Sequence, residues 1–196
     1  MTCGRLSAAE LGNLGRVSSI SEGFLKRCSN LTTVNFSGTS AVTNVGAEFL
    51  CECSKLSALD LRGLSSVTRI GNCFISNCTQ LVSVDFDGLA SVTSIGDDFL
   101  RNANLATANL NKLCSLTSVG GGFFFYCDKL TSVDFCPTAL RHLGSNAFFG
   151  CNSLSLSLYD RFTLSRRAHD YSNKFSGGLR KDRVVRLWVP PKSDLH

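Results

Sequence analysis

A chain of 196 residues that is 43% hydrophobic is long enough for one ordinary core or for an array of small units, and too apolar for a disordered protein. Its net charge of +5 belongs to one end, because residues 1–158 hold eleven Lys/Arg against eleven Asp/Glu and residues 159–196 hold nine against four. No apolar run reaches the roughly 18–20 residues of a spanning helix, and MTCGRLSAAELGNLG lacks a basic start followed by an apolar core, so the chain as given reads as soluble, without an export signal and cytoplasmic.

The chain repeats itself. Val17 and Ile20 open a column that continues as Val42 and Val45, Val67 and Ile70, Val92 and Ile95, Leu116 and Val119, and Leu140 and Leu143, at spacings of 25, 25, 25, 24 and 24. Phe24, Leu25 and Cys28 open a second column, followed by Phe49, Leu50 and Cys53, by Phe74, Ile75 and Cys78, by Phe99, Leu100 and Ala103, by Phe123, Phe124 and Cys127, and by Ala147, Phe148 and Cys151. The third begins at Leu31, Val34 and Phe36 and recurs as far as Leu130, Val133 and Phe135. About six full units span residues 1–158, and 159–196 break the period. Self-similarity at this length predicts a solenoid, since one such unit buries its apolar face only against a neighbour.

Within a unit, V-x-F alternation predicts a short strand. A Gly/Ser-rich stretch such as SGTSAV turns the chain. A second extended arm, V-T-x-I, stops at Gly46, Gly71, Gly96, Gly120 or Gly144, where glycine permits positive φ. Apolar positions three and four apart in F-L-x-x-C predict a helical turn on the opposite side. Residues 140–154, LRHLGSNAFFGCNSL, together with the register of the other units, resemble the BspA-like leucine-rich repeat. The resemblance implies a β-rich α/β solenoid, right-handed, with short helical turns on its convex side. It also implies an interaction module, cell-surface or adhesive. Most units carry Phe-Leu where that family writes Ala-Phe.

Little in the repeats reads as chemistry. Cys28, Cys53, Cys78, Cys127 and Cys151 share a column that Ala103 completes, so the position selects a small buried residue rather than a thiolate. Cys51 and Cys53, and Cys73 and Cys78, lack the paired spacing of a zinc site, and His142, His169 and His196 stand apart. The VGGGFFF stretch at 119–125 lacks the lysine of a phosphate loop and reads as repeat drift. No catalytic residue, metal or cofactor is expected.

Period two turns the residue between each inward pair outward, so Asn35, Asp60, Asp85, Asn109 and Asp134 form one row across the strands, with Glu10 at its start. Thr33, Ala58, Ser83, Thr107 and Ser132 flank it on one side, and Ser37, Arg62, Asp87, Asn111 and Cys136 on the other. This acid-bearing face predicts a protein or other macromolecular partner and argues against nucleic acid, whose phosphates it repels. The alternative is a structural array, or a fragment of a longer repeat protein, with no ligand of its own. Residues 159–196 read as a C-terminal cap or a basic contact segment, and uncovered array ends predict self-association.

Overall fold

The computed structural model describes residues 3–12, 14–135 and 139–154. Among them, twelve short strands lie on two faces of a β-solenoid. One face carries β1 (Ala8–Glu10), β3 (Thr33–Asn35), β5 (Ala58–Asp60), β7 (Ser83–Asp85), β9 (Thr107–Leu110) and β11 (Ser132–Phe135). Here β1 pairs with β3, β5 with β7 and β9 with β11, all parallel, and β3 lies against β5 and β7 against β9. The other face is a six-stranded parallel sheet of β2 (Ser19–Ile20), β4 (Asn44–Val45), β6 (Arg69–Ile70), β8 (Ser94–Ile95), β10 (Ser118–Val119) and β12 (His142–Leu143) in that spatial order. Every pairing sets one unit position against the same position of the next, as in Val45 against Ile70 and Ile70 against Ile95.

The columns predicted to face inward do so except at Val17, which opens the first column and is exposed, and Phe24, Leu25, Val34, Val84 and Leu140 are only half-buried. Leu31, Leu56, Leu81, Leu105 and Leu130 are fully buried. Down the middle runs a stack of rings, with centroids 5.5 Å apart between Phe49 and Phe74, 5.5 Å between Phe74 and Phe99, and 5.3 Å between Phe99 and Phe123. Such pairs contribute about 0.5–1.5 kcal/mol each beyond their buried area. Where the sixth unit writes Ala147-Phe148, the stack steps sideways, and Phe148 lies flat against Phe124 at 5.8 Å.

The threonine of V-T-x-I has its own reason. Its hydroxyl donates to a carbonyl one coil back, Thr68 to Thr43, Thr93 to Thr68 and Thr117 to Thr93, at 2.9–3.2 Å. The glycine that follows is not there for positive φ, which Gly46, Gly71, Gly96, Gly120 and Gly144 do not have. Coils approach too closely for a side chain at these positions: a Cβ on Gly46 would sit 2.5 Å from the amide nitrogen of Glu22, and one on Gly71 2.5 Å from that of Ala47.

The F-L-x-x-C segments differ most from expectation. Helical structure among the described residues is confined to two 3₁₀ turns, Arg62–Leu64 and Asp87–Leu89, which follow β5 and β7. In place of a helical turn, alternate residues of each segment take the left-handed conformation, as Glu48, Leu50 and Glu52 do and then Cys73, Ile75 and Asn77, all with φ between 54 and 63°. That conformation costs an L-residue roughly 1–2 kcal/mol, and β-branched Ile75 is the most unusual occupant. Hydrogen bonds between coils hold it. The Glu48 and Glu52 amides donate forward to the Asn72 and Ser76 carbonyls at 2.7 and 2.8 Å, and the Leu50 amide donates back to Phe24 at 3.1 Å. A helical turn would close such bonds within itself and leave the adjoining coil unpaired. The basic segment 159–196, with its expected role as a cap, lies outside the described residues, as does Cys136.

Candidate functional site

The strand face is assembled by register alone. Alternation along each strand buries Ala9, Leu59, Ala108 and Val133 and half-buries Val34 and Val84. The residues next to them turn outward, and pairing sets Glu10 beside Asn35, Asp60 beside Asp85 and Asn109 beside Asp134. All are exposed except Asp85, which is half-buried.

These side chains also work locally. The Asn35 Oδ1 accepts the amide of Ser37 at 2.9 Å, Asp60 Oδ1 that of Arg62 at 2.9 Å, Asp85 Oδ1 that of Asp87 at 3.0 Å, and Asn109 Oδ1 that of Asn111 at 3.1 Å. Each is an Asx turn that bends the chain out of its strand. The turn needs a side-chain oxygen at that reach, which Asn and Asp supply equally, and this accounts for their exchange along the row. It leaves the carboxylate charge at Asp60 and Asp85 without a role in the turn, and Asp134 adds a third exposed carboxylate to the row.

Arg62 answers part of that charge. Its Nε lies 3.0 Å from both carboxylate oxygens of Asp60 and 3.4 Å from Asp85 Oδ2. The Arg62 side chain, helped by its own amide, holds the Asp60 carboxyl below its ordinary range. At the amino end Asn35 Nδ2 donates to Glu10 Oε2 at 2.7 Å. Between β3 and β5 a shallow depression of about 600 Å³ opens beside Asn35, Ser37, Asp60 and Arg62. Flanking Thr33, Ala58, Ser83 and Thr107 are exposed and small, so the face is flat, and Val82 beside it is 55% exposed.

The cysteine column is explained by a donor as well as by size. The thiols of Cys53, Cys78 and Cys127 donate to the carbonyls of Leu25, Leu50 and Leu100 at 3.1 Å, and that of Cys151 to Phe124 at 2.9 Å. Their acceptors are carbonyls of the left-handed segment one coil back. Burial pushes Cys53 up to about 11 and Cys78 up to about 12. The neighbouring Cys151 thiol, and then burial, raise Cys127. These shifts run opposite to that of an activated nucleophile. Cys51 is raised to about 11 and Cys73 is also raised, in both cases first by burial. Among the described residues, no three His, Cys, Asp or Glu side chains gather as a metal site would require.

With the coil geometry in place, the family can be stated. The profile of the BspA type leucine rich repeat region matches in six copies, over residues 1–120 and 44–175. The chain belongs to this BspA-type family. Two solved structures are similar to this BspA-type chain. A leucine rich cell surface protein from Faecalibacterium prausnitzii shares 14% identity over 76% of this chain and 66% of its own, with a TM-score of 0.36. A leucine-rich repeat protein from Bacteroides ovatus shares 15% identity over 78% of this chain and 66% of its own, with a TM-score of 0.29. This chain therefore spans just under two thirds of the length of either. No curated protein sequence matches it.

Sequence periodicity placed the outward row but missed what its oxygens do. The signal for the turns was present, an Asn or Asp two residues before a turn in unit after unit. The bridging role of Arg62 left no repeated signal, because it occurs in one unit.

Proposed function

We propose that this BspA-type array is a non-enzymatic interaction module that holds a protein or other macromolecular partner on its strand face, through the row Asn35, Asp60, Asp85, Asn109 and Asp134. The observation that carries this reading is the surplus charge: Asx turns require an oxygen, yet three of these five positions carry a carboxylate. Small exposed neighbours let a partner approach the row closely, and its negative sign suits a cationic or donor-rich surface. Family membership supports a repeat module of this kind and extends the proposal to an adhesive role at a cell surface. A structural array without a ligand is the second reading, favoured by the same turns, which explain the Asn/Asp identities without any partner.

The test uses the chain beside two triple variants in cross-linked capture from source-cell lysate and surface extract. Asp60→Asn, Asp85→Asn and Asp134→Asn together keep every turn acceptor and remove the charge, and the corresponding Lys substitutions reverse it. The strand-face reading expects a partner held by the native chain, weakened by the Asn variant and lost by the Lys variant, with the Asn variant's melting temperature unchanged. Equal capture by all three would remove the row as the determinant, and no capture by any would favour the structural array.

A further inference from the structure

The thiol column extends one coil beyond its buried run. Cys3 stands 25 residues before Cys28, as Cys28 stands 25 before Cys53 and Cys53 25 before Cys78. Hydrogen bonds carry that register into space. The Leu6 amide donates to the Cys3 carbonyl at 3.0 Å and the Leu31 amide to the Cys28 carbonyl at 2.9 Å, so both cysteines begin the same turn. Five residues on, Ala8 pairs with Thr33. Between these points the Thr32 amide donates to the Ser7 carbonyl at 2.9 Å, and the Asn30 side-chain amide donates to the Gly4 carbonyl. Residues 3–10 therefore lie over 28–35 at the roughly 4.7–4.9 Å that separates paired strands. Disulfides span Cα atoms about 4.4–6.8 Å apart.

This pair differs from the rest of the column in two ways. Cys53, Cys78, Cys127 and Cys151 each give their thiol to a carbonyl one coil back at 2.9–3.1 Å, a bond that oxidation would forfeit. The Cys28 thiol meets instead the Lys26 carbonyl of its own coil at 3.9 Å, a long contact even for sulfur. Access differs as well. Cys28, Cys53, Cys78, Cys127 and Cys151 are buried, whereas Cys3 packs against the edge of the core and is only half-buried. Cys51 and Cys73, another pair with one half-buried member, stand 22 residues apart and so do not lie in one column. Cys3 and Cys28 are both free thiols in the structure.

We propose that Cys3 and Cys28 are a redox-sensitive clasp, a reversible disulfide that ties the coil carrying β1 to the coil carrying β3. The oxidant is a small disulfide of the glutathione class. The Cys3 thiolate attacks one of its sulfurs and releases one small thiol. Cys28 then gives up its proton, its sulfur attacks the Cys3 sulfur of the mixed disulfide, and a second small thiol leaves. Two protein thiols lose two electrons and two protons, and the small disulfide takes them up as two thiols. The Cys28 thiol is pushed up to about 12, by burial and then by the Cys3 thiol beside it. This slows the second step, and the position of Cys28 against the mixed disulfide offsets the delay. The coil so fastened is held weakly otherwise: β1 pairs with β3 alone among the described strands, and Leu6 and Leu14 are half-buried. A cross-link that closes a loop of this length acts where local opening is easiest. The clasp does not depend on the Asp60 row.

The full chain is reduced, equilibrated at a series of reduced-to-oxidised glutathione ratios, alkylated with iodoacetamide while folded, and mapped by mass spectrometry of non-reduced digests. One intramolecular disulfide is expected, Cys3–Cys28, and in the reduced chain Cys3 should be alkylated before Cys28. The oxidised chain should melt about 5–10 °C above the reduced one. Cys28→Ala, which installs the residue that the column already holds at position 103, and Cys3→Ser should each abolish both the disulfide and the rise in melting temperature. The proposal is overturned by a disulfide mapped to Cys28–Cys53 or Cys51–Cys73, by glutathione retained on Cys3 while Cys28 stays free, by no Cys3–Cys28 disulfide at the most oxidising ratio, or by equal melting of the two forms.

Discussion

Between the coil that carries Phe74 and the coil that carries Phe123, the residues that join one coil to the next change little: Thr68 becomes Thr117, Gly71 becomes Gly120, Cys78 becomes Cys127 and Leu81 becomes Leu130. Outside, Asn72-Cys73 gives way to Gly121-Gly122 and Ser76-Asn77 to Phe125-Tyr126. A joining residue must satisfy the coil before it and the coil after it, through a ring stack, a hydroxyl, a thiol or a missing Cβ. The outward residues carry fewer such obligations, so any specificity the array possesses has to be written there.

Phenylalanines give the widest contrast. Phe99 is fully buried with Phe74 on one side and Phe123 on the other, and Phe99→Ala is expected to cost about 3–5 kcal/mol, read as a lower urea midpoint. Phe125→Ser, which loses an outer stack on Phe149, is expected to cost about 1 kcal/mol. Equal losses would show that the outer rings hold the coils together as much as the inner ones.

Glycines sharpen the same comparison at smaller scale. A Cβ on Gly96 would lie 2.7 Å from the Asn72 amide nitrogen and 2.8 Å from the Gly71 carbonyl carbon, whereas one on Gly121 would come no nearer than 3.3 Å, to Ser145 O. Gly96→Ala is expected to destabilise by about 1–3 kcal/mol and Gly121→Ala by less than about 0.5 kcal/mol. A silent Gly96→Ala in thermal melts would mean that the coils are able to separate at the end of each arm.

The subtlest effect is one of pH. Cys53 and Cys78 are held at about 11 and about 12 against an ordinary thiol value of 9.0. A folded-state value above the unfolded one stabilises fully below the unfolded value and is lost as pH rises through the folded one. Urea midpoints are therefore expected to fall between about pH 9 and 12, and the fall should flatten in Cys53→Ala/Cys78→Ala, a replacement that Ala103 already makes in the same column. An unchanged slope would assign the alkaline loss to other groups.

The period, the two strand faces, the inward columns and the outward row were all legible in the sequence, because each is a repetition at fixed spacing and burial follows alternation. The F-L-x-x-C segment was not. Its apolar residues recur three and four apart, as in a helix, but its conformation is set by hydrogen bonds to residues 23 to 26 positions away that no local pattern contains. The glycine after the arm was recognised as necessary for the wrong reason, since close approach and positive φ leave the same mark in a sequence.

The hydroxyls of Thr43, Thr68, Thr93 and Thr117 and the thiols of Cys53, Cys78, Cys127 and Cys151 all reach backward, each to the coil that precedes it. A row of one-way connectors fits any coil behind any other, so duplicating a stretch of 24 or 25 residues inserts a part already threaded to match both neighbours. Inserting a single residue matches neither. An array built this way lengthens in whole steps, and a tandem copying error in its gene, ruinous in most folds, becomes an ordinary means of growth.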